Sequence, residues 1–178
     1  MVYDEALLSK LERGPIVEFS GNVWRVAWAS QDPLRPNVRG ARWNPPDISA
    51  LYTSESEAAC LAEFAYLLES QPVPPRGASA IHRLAVQVSS VLDASEPDLL
   101  KEWGLDLETL PEGLAGHEQC RVIGGAAAFL DFEAMWVPSM RLAGARNFVI
   151  FTDELLTTST YELVESTAID PPLPHDGI

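Results

Sequence analysis

Basic side chains are scarce in this chain of 178 residues. Twelve lysines and arginines stand against 26 aspartates and glutamates, a formal net charge of −14. A nucleic-acid surface needs a basic patch, so direct nucleic-acid binding is not expected. Cysteine is scarcer still, with Cys60 and Cys120 alone, which excludes a disulfide scaffold. Both lie in apolar helical patterns and are expected as reduced, buried thiols of a cytoplasmic protein. They form no CxxC pair, and His82, His117 and His175 lack ligand spacing, so no metal site is expected. No apolar run reaches the roughly 18 residues of a membrane span. The charged helical pattern of Met1 to Gly14 is unlike a signal peptide. There is no G-x-S-x-G elbow, no G-x-x-x-x-G-K-[ST] loop and no G-x-G-x-x-G after a strand.

What is present suits an ordinary globular domain: 47% apolar and 21% charged residues, in a chain long enough for one sizeable core. A single domain is expected over 1–170, with a flexible, proline-rich tail over 171–178. Charge is distributed unevenly. Asp93 to Glu118 holds eight acids and one base, and reads as an acidic surface insertion. Thr152 to Ile178 holds six acids and no base. Trp24 to Asn44 is the reverse, with Arg25, Arg35, Arg39 and Arg42 against Asp32. Ten of the twelve bases are arginine, the side chain whose planar fork grips a carboxylate or phosphate at two points. Pairing with the acidic surface is the plainer alternative for these arginines.

The periodicity predicts a helix over Asp4–Arg13, a strand over Val23–Trp28, a long proline-rich loop from Ser30 to Asp47 and a strand over Ala50–Thr53. Ser54, with Glu57 three residues on, predicts the N-cap of a helix running to about Glu69. Further strands are expected at Ala80–Val91, Ala134–Val137, Asn147–Phe151 and Tyr161–Ile169. Pro97–Pro111 reads as a short acidic helical segment, and Glu118–Leu130 as an apolar helix whose Gly124-Gly125 marks close packing. The elements interleave too irregularly for a doubly wound sheet. An α+β fold with a mostly antiparallel sheet and flanking helices is expected.

Four features point to chemistry. Glu63 is the only charge between Ala58 and Leu68, in a helix apolar nearly all round. A carboxylate there is either one half of a structural Glu–Arg pair or an active-site group. Gly40-Ala41-Arg42-Trp43-Asn44 ends the long loop with an arginine and a ring; Trp43 either walls a binding site or plugs the core. Arg25 interrupts an apolar strand, on a polar face or in a cleft. Ser139 follows a buried strand, as a turn residue or as part of a site.

Together these elements resemble the RES domain family. The resemblance rests on Trp24-Arg25, Gly40-Ala41-Arg42-Trp43-Asn44, Leu51-Tyr52-Thr53-Ser54, Glu63 in its alanine-rich helix, Val137-Pro138-Ser139-Met140-Arg141 and Asn147-Phe148-Val149-Ile150-Phe151, in that order. It implies an ADP-ribosyltransferase-like fold. It also implies a toxin of a bacterial toxin–antitoxin pair that consumes NAD⁺ as substrate, by hydrolysis or phosphorolysis, without a further cofactor. Protein ADP-ribosylation and non-catalytic binding of a nucleotide or partner are the alternatives. By the resemblance Glu63, Arg25 and Ser139 are catalytic residues, and Arg42, Tyr52, Trp43 and Asn44 bind substrate. The implied partner is an Xre-type helix-turn-helix antitoxin that blocks the site within a higher-order complex.

Overall fold

The computed structural model describes residues 2–71, 77–110 and 114–169. The expected tail and most of the proline connector lie outside the described residues. The elements run α1 (Glu5–Glu12), β1 (Ile16–Trp28), β2 (Ala50–Ser54), α2 (Glu57–Glu69), β3 (Ser79–Asp93), α3 (Pro97–Glu102), α4 (Leu114–Phe129), β4 (Ala134–Pro138), β5 (Arg146–Phe151) and β6 (Thr160–Ile169). Asp4 caps α1 by accepting from the Leu7 amide at 3.0 Å, which satisfies one of the donors a helix start leaves free.

The strands form one mixed sheet. β1–β2, β1–β3, β2–β5, β4–β5 and β3–β6 pair antiparallel. β3–β4 pairs parallel. The pairings close a ring, β1–β2–β5–β4–β3–β1, with β6 added on β3. Alternation along the strands sorts the core into two. Leu51, Ala134, Trp136, Phe148 and Ile150 face one cluster with Val23, Leu84 and Val86. Their neighbours Ala50, Met135, Val137, Val149 and Phe151 face the other, beneath α1 and α4.

Three sequence expectations are corrected. β1 begins at Ile16, not Val23, because its first half pairs with the far end of β3, Ile16 opposite Leu92. That half is exposed on most of its length, so its hydrophobic alternation is weak. The cap of α2 is Ser56, whose side chain accepts from the Ala59 amide at 3.2 Å. Ser54 stays in β2 and gives its hydroxyl to Asn147 Oδ1 at 2.7 Å. The acidic stretch 93–118 is also more than a surface insertion. Its helix ends at Glu102, and Leu100, Trp103 and Leu105 are buried in the core with α1 and α4. Its described acids are exposed or half-buried on the outside of a segment anchored from within. Cys60 and Cys120 are buried and free, as expected.

Glu133, just before β4, is fully buried. Its Oε2 accepts from the amides of Ser89 and Ser90 at 2.7 and 3.0 Å, and its Oε1 from the Leu156 amide at 3.0 Å. Burial alone would raise its pKa. The hydrogen bonds from these three amides outweigh that and help hold the carboxyl below its ordinary value. A depressed carboxylate contributes stability that is complete above the unfolded pKa and is lost as pH falls through the folded one. The stability gap between wild type and Glu133→Gln is therefore expected to be flat above about pH 5 and to narrow on acidification below the ordinary carboxylate value of 4.5. Denaturant titrations across that range measure it, and a gap that widens toward acid would contradict this account.

Candidate active site

The site forms where β1, β2, α2 and the long loop meet. β1 and β2 are registered at Trp24 opposite Ser54. Just beyond, Arg25 reaches across, donating from Nη1 to the Tyr52 carbonyl at 3.3 Å and from Nη2 to the Arg35 carbonyl at 3.2 Å. α2 lies against β1, β2 and β5, with Phe64 edge-on to Trp28 at 5.5 Å between ring centres. A cavity of about 450 Å³ opens between these elements, within the usual range for small-molecule sites. Arg25, Arg42, Tyr52 and Glu63 all face it.

Among the described residues Glu63 pairs with no arginine. Its Oε1 accepts from the Ser139 hydroxyl at 2.8 Å and from Asn147 Nδ2 at 2.7 Å. Its Oε2 receives no hydrogen bond from any described residue. The carboxylate is thus oriented by two neutral donors on one oxygen.

Ser139 is saturated. Its hydroxyl accepts from the Arg141 and Leu142 amides at 3.2 and 3.1 Å, so its one proton goes to Glu63. It is at once the turn residue and an orienter of the carboxylate. Expected as a catalytic residue, it lines up here as a group that positions Glu63. Asn147, not singled out in the sequence, does the same from β5. Its Oδ1 is fixed by Ser54 and its amide donates to Glu63. The register that places Ser54 opposite Asn147 cannot be read from either segment alone.

The loop's end is pinned by Tyr52. The Tyr52 hydroxyl accepts from the Trp43 amide and donates to Asn44 Oδ1, both at 2.8 Å. Burial raises the phenol pKa further from neutrality, so it stays a donor. Asn44 is fully buried, and its amide group donates to the Asn37 and Ile48 carbonyls at 3.1 and 2.7 Å. It shapes the site from behind and is not among the residues that line the cavity. Trp43 is 3% exposed and sits in the core; it borders the cavity chiefly as the plug beneath the loop. Arg121 completes the clamp, donating from Nε to the Ala41 carbonyl at 2.7 Å.

Electrostatically the cavity sets cations apart from a carboxylate. Neither Arg25 nor Arg42 forms an ion pair with a described carboxylate; the described pairs involve Arg83, Lys101 and Arg146. Burial lowers the Arg25 pKa, partly offset by Cys60 and Asp32, but an arginine keeps its charge at neutral pH. Burial pushes the Cys60 thiol up to about 12, so Cys60 is no nucleophile. His117, also on the wall, is held toward its neutral form by burial, then by Arg42 and Arg121. Arg141 stacks on the Tyr66 ring, 3.1 Å from its centre, at the cavity's rim. Among the described residues no cluster of histidine, cysteine or carboxylate side chains could hold a metal. Nor, among them, is any helix long and apolar enough to cross a membrane.

None of the curated proteins compared matches the chain. A solved structure, described as the M. tuberculosis MbcT–MbcA toxin–antitoxin complex, contains a chain of similar fold. The TM-score is 0.81 at 24% identity, over 93% of each chain. The family model described as the RES domain matches residues 22–170. That span holds β1 from Asn22 onward, Arg25, the pinned loop, Glu63 and the two residues that orient it. The chain belongs to the RES domain family.

Proposed function

We propose that this protein is the toxin of a toxin–antitoxin pair, has an ADP-ribosyltransferase-like fold and cleaves the nicotinamide–ribose bond of NAD⁺. The observation that carries the reading is Glu63: a carboxylate on a cavity wall, held by two neutral donors on one oxygen, and sharing that cavity with two arginines that pair with no described carboxylate. Nicotinamide loss builds positive charge on the ribose, as glycoside cleavage does. A fixed carboxylate stabilises that charge and can bind a ribose hydroxyl or activate the acceptor. Arg25 and Arg42 suit the pyrophosphate, and Tyr52 offers a ring to the nicotinamide side. Water, phosphate and a protein side chain all fit the same carboxylate as acceptor.

The site of action in this reading is the cytoplasm. The related toxin fold was solved in complex with an antitoxin, and an Xre-type helix-turn-helix protein with a basic DNA-binding surface complements a −14 chain. The test is direct. Purified protein incubated with NAD⁺ is expected to release free nicotinamide, and expression without a partner to deplete cellular NAD⁺ and arrest growth. Soluble protein that does neither would leave a non-catalytic binding module as the better reading.

Arg25→Lys tests the anion grip separately. Lysine keeps the charge but cannot span the Tyr52 and Arg35 carbonyls while still presenting donors to a phosphate. KM for NAD⁺ is expected to rise by roughly tenfold, the scale of one lost charge-assisted hydrogen bond. Wild-type steady-state kinetics would show that Arg25 does not grip the substrate.

A further inference from the structure

A second cavity, of about 320 Å³, adjoins the first; Arg25 and Asn37 border both. Its other walls include Arg35, Arg39, Gln31 and Asp32, but not Glu63. The segment carrying the two further arginines is tied down at its centre. The Asn37 amide donates to the Ala50 carbonyl at 2.8 Å, and its carbonyl accepts from the Ala50 amide at 3.0 Å and from the buried Asn44 side chain at 3.1 Å. Asn37 Oδ1 accepts from the Arg39 amide at 2.8 Å. Arg35 is held by its carbonyl to Arg25.

The charge here is unusual for this chain. Acids outnumber bases 26 to 12, yet Arg35 and Arg39 form no ion pair with a described carboxylate. Asp32 is the one acid on the walls, and its Oδ1 accepts from the Leu34 amide at 2.9 Å. Three guanidinium groups therefore face one carboxylate. Arg25 spends two of its five N–H donors on carbonyls, leaving three. The buried Arg25 Nε has no hydrogen-bond partner among the described residues.

Resting on the NAD⁺ reading, we propose that this second cavity is a subsite for a phosphate group carried on the half of the dinucleotide remote from the cleaved bond. With the reacting ribose at Glu63 and the pyrophosphate at Arg25, the adenosine half extends past Arg25 toward Arg35 and Arg39. A ribose 2′-hydroxyl would use little of this charge. A 2′-phosphate meets a planar arginine fork suited to it. The 2′-phosphorylated dinucleotide NADP⁺ is therefore the better ligand.

Calorimetric titration of the Glu63→Gln protein, in which turnover is suppressed, compares the two dinucleotides. NADP⁺ is expected to bind about tenfold more tightly than NAD⁺, with the ratio shrinking as salt rises, because Arg35 and Arg39 are exposed. Adding Arg35→Gln and Arg39→Gln is expected to bring the ratio to about one while leaving NAD⁺ affinity within a few-fold. A ratio near one in the parent, or one untouched by the two substitutions, overturns the proposal and leaves NAD⁺ binding in the first cavity standing. Inorganic phosphate alone, titrated by ³¹P line broadening, separates the sources. Binding that the arginine substitutions abolish, with no NADP⁺ advantage, assigns the site to the free anion and overturns the proposal too. If neither dinucleotide binds the wild-type protein, the NAD⁺ reading falls and this subsite with it.

Discussion

Glu63→Gln is expected to lower turnover of NAD⁺ by at least about 10²-fold, the scale of removing a positioned acid–base carboxylate, while leaving the fold intact. The amide oxygen of glutamine can still accept from Ser139 and Asn147, which both donate to a single oxygen in the native site. The substitution therefore removes charge and basicity without orphaning a neighbour. Since Oε2 takes no bond from the described residues, the substitution is expected to act through that oxygen. KM should change much less than kcat, because a carboxylate acting on developing positive charge contributes mainly in the transition state. Steady-state kinetics with melting curves measure both. Unchanged activity per folded molecule would make Glu63 a structural residue, and the cavity a binding site only.

The orienting residues provide a graded comparison. Ser139→Ala removes one donor to Glu63 and the acceptor for two turn amides, so it acts on position and on the turn together. Asn147→Asp puts a second carboxylate against Oε1 and unsettles Ser54 as well. These two partners show where the sequence stopped being legible. Glu63 stood out because a lone charge in an apolar helix needs an explanation. Its contacts did not: Ser139 was noticed only as a turn or site residue, and Asn147 is an ordinary strand residue until the sheet register sets it opposite Ser54 and beside Glu63. Likewise the loop ending in Trp43 and Asn44 was legible as a loop, but which of its groups faces inward depends on Tyr52, whose hydroxyl holds both. The strand order was legible only as a class, since the β3–β4 parallel pairing and the ring closure through β1–β3 join segments far apart in sequence. The acidic stretch misled because charge marks only its outer face; Leu100, Trp103 and Leu105, which anchor it, are too few for a clear period.

Gly124→Ala is expected to cost stability heavily, about 3 kcal/mol, and to disturb the site from a distance. A Cβ at Gly124 would overlap the Trp43 carbonyl oxygen and lie 2.8 Å from its carbonyl carbon. Both obstacles are backbone, so neither can swing aside; α4 or the loop must move. The melting temperature should fall by roughly 6–12 °C for a chain of this size. Gly125→Ala is the internal control. The Cβ there meets the hydroxyl end of Tyr3 and the Pro45 ring, and a tyrosine tip can rotate away, so a milder loss is expected. The two variants should also differ in function. Displacing Trp43 strains its hydrogen bond to Tyr52 and shifts neighbouring Arg42 on the cavity wall, so Gly124→Ala should raise KM even where enough protein folds to assay. Gly125→Ala should leave KM near wild type. Equal losses in both variants would mean that the paired glycines serve helix packing alone and that the loop tolerates movement. A loss confined to Gly124, in both stability and KM, would tie the close approach of α4 to the placement of Arg42.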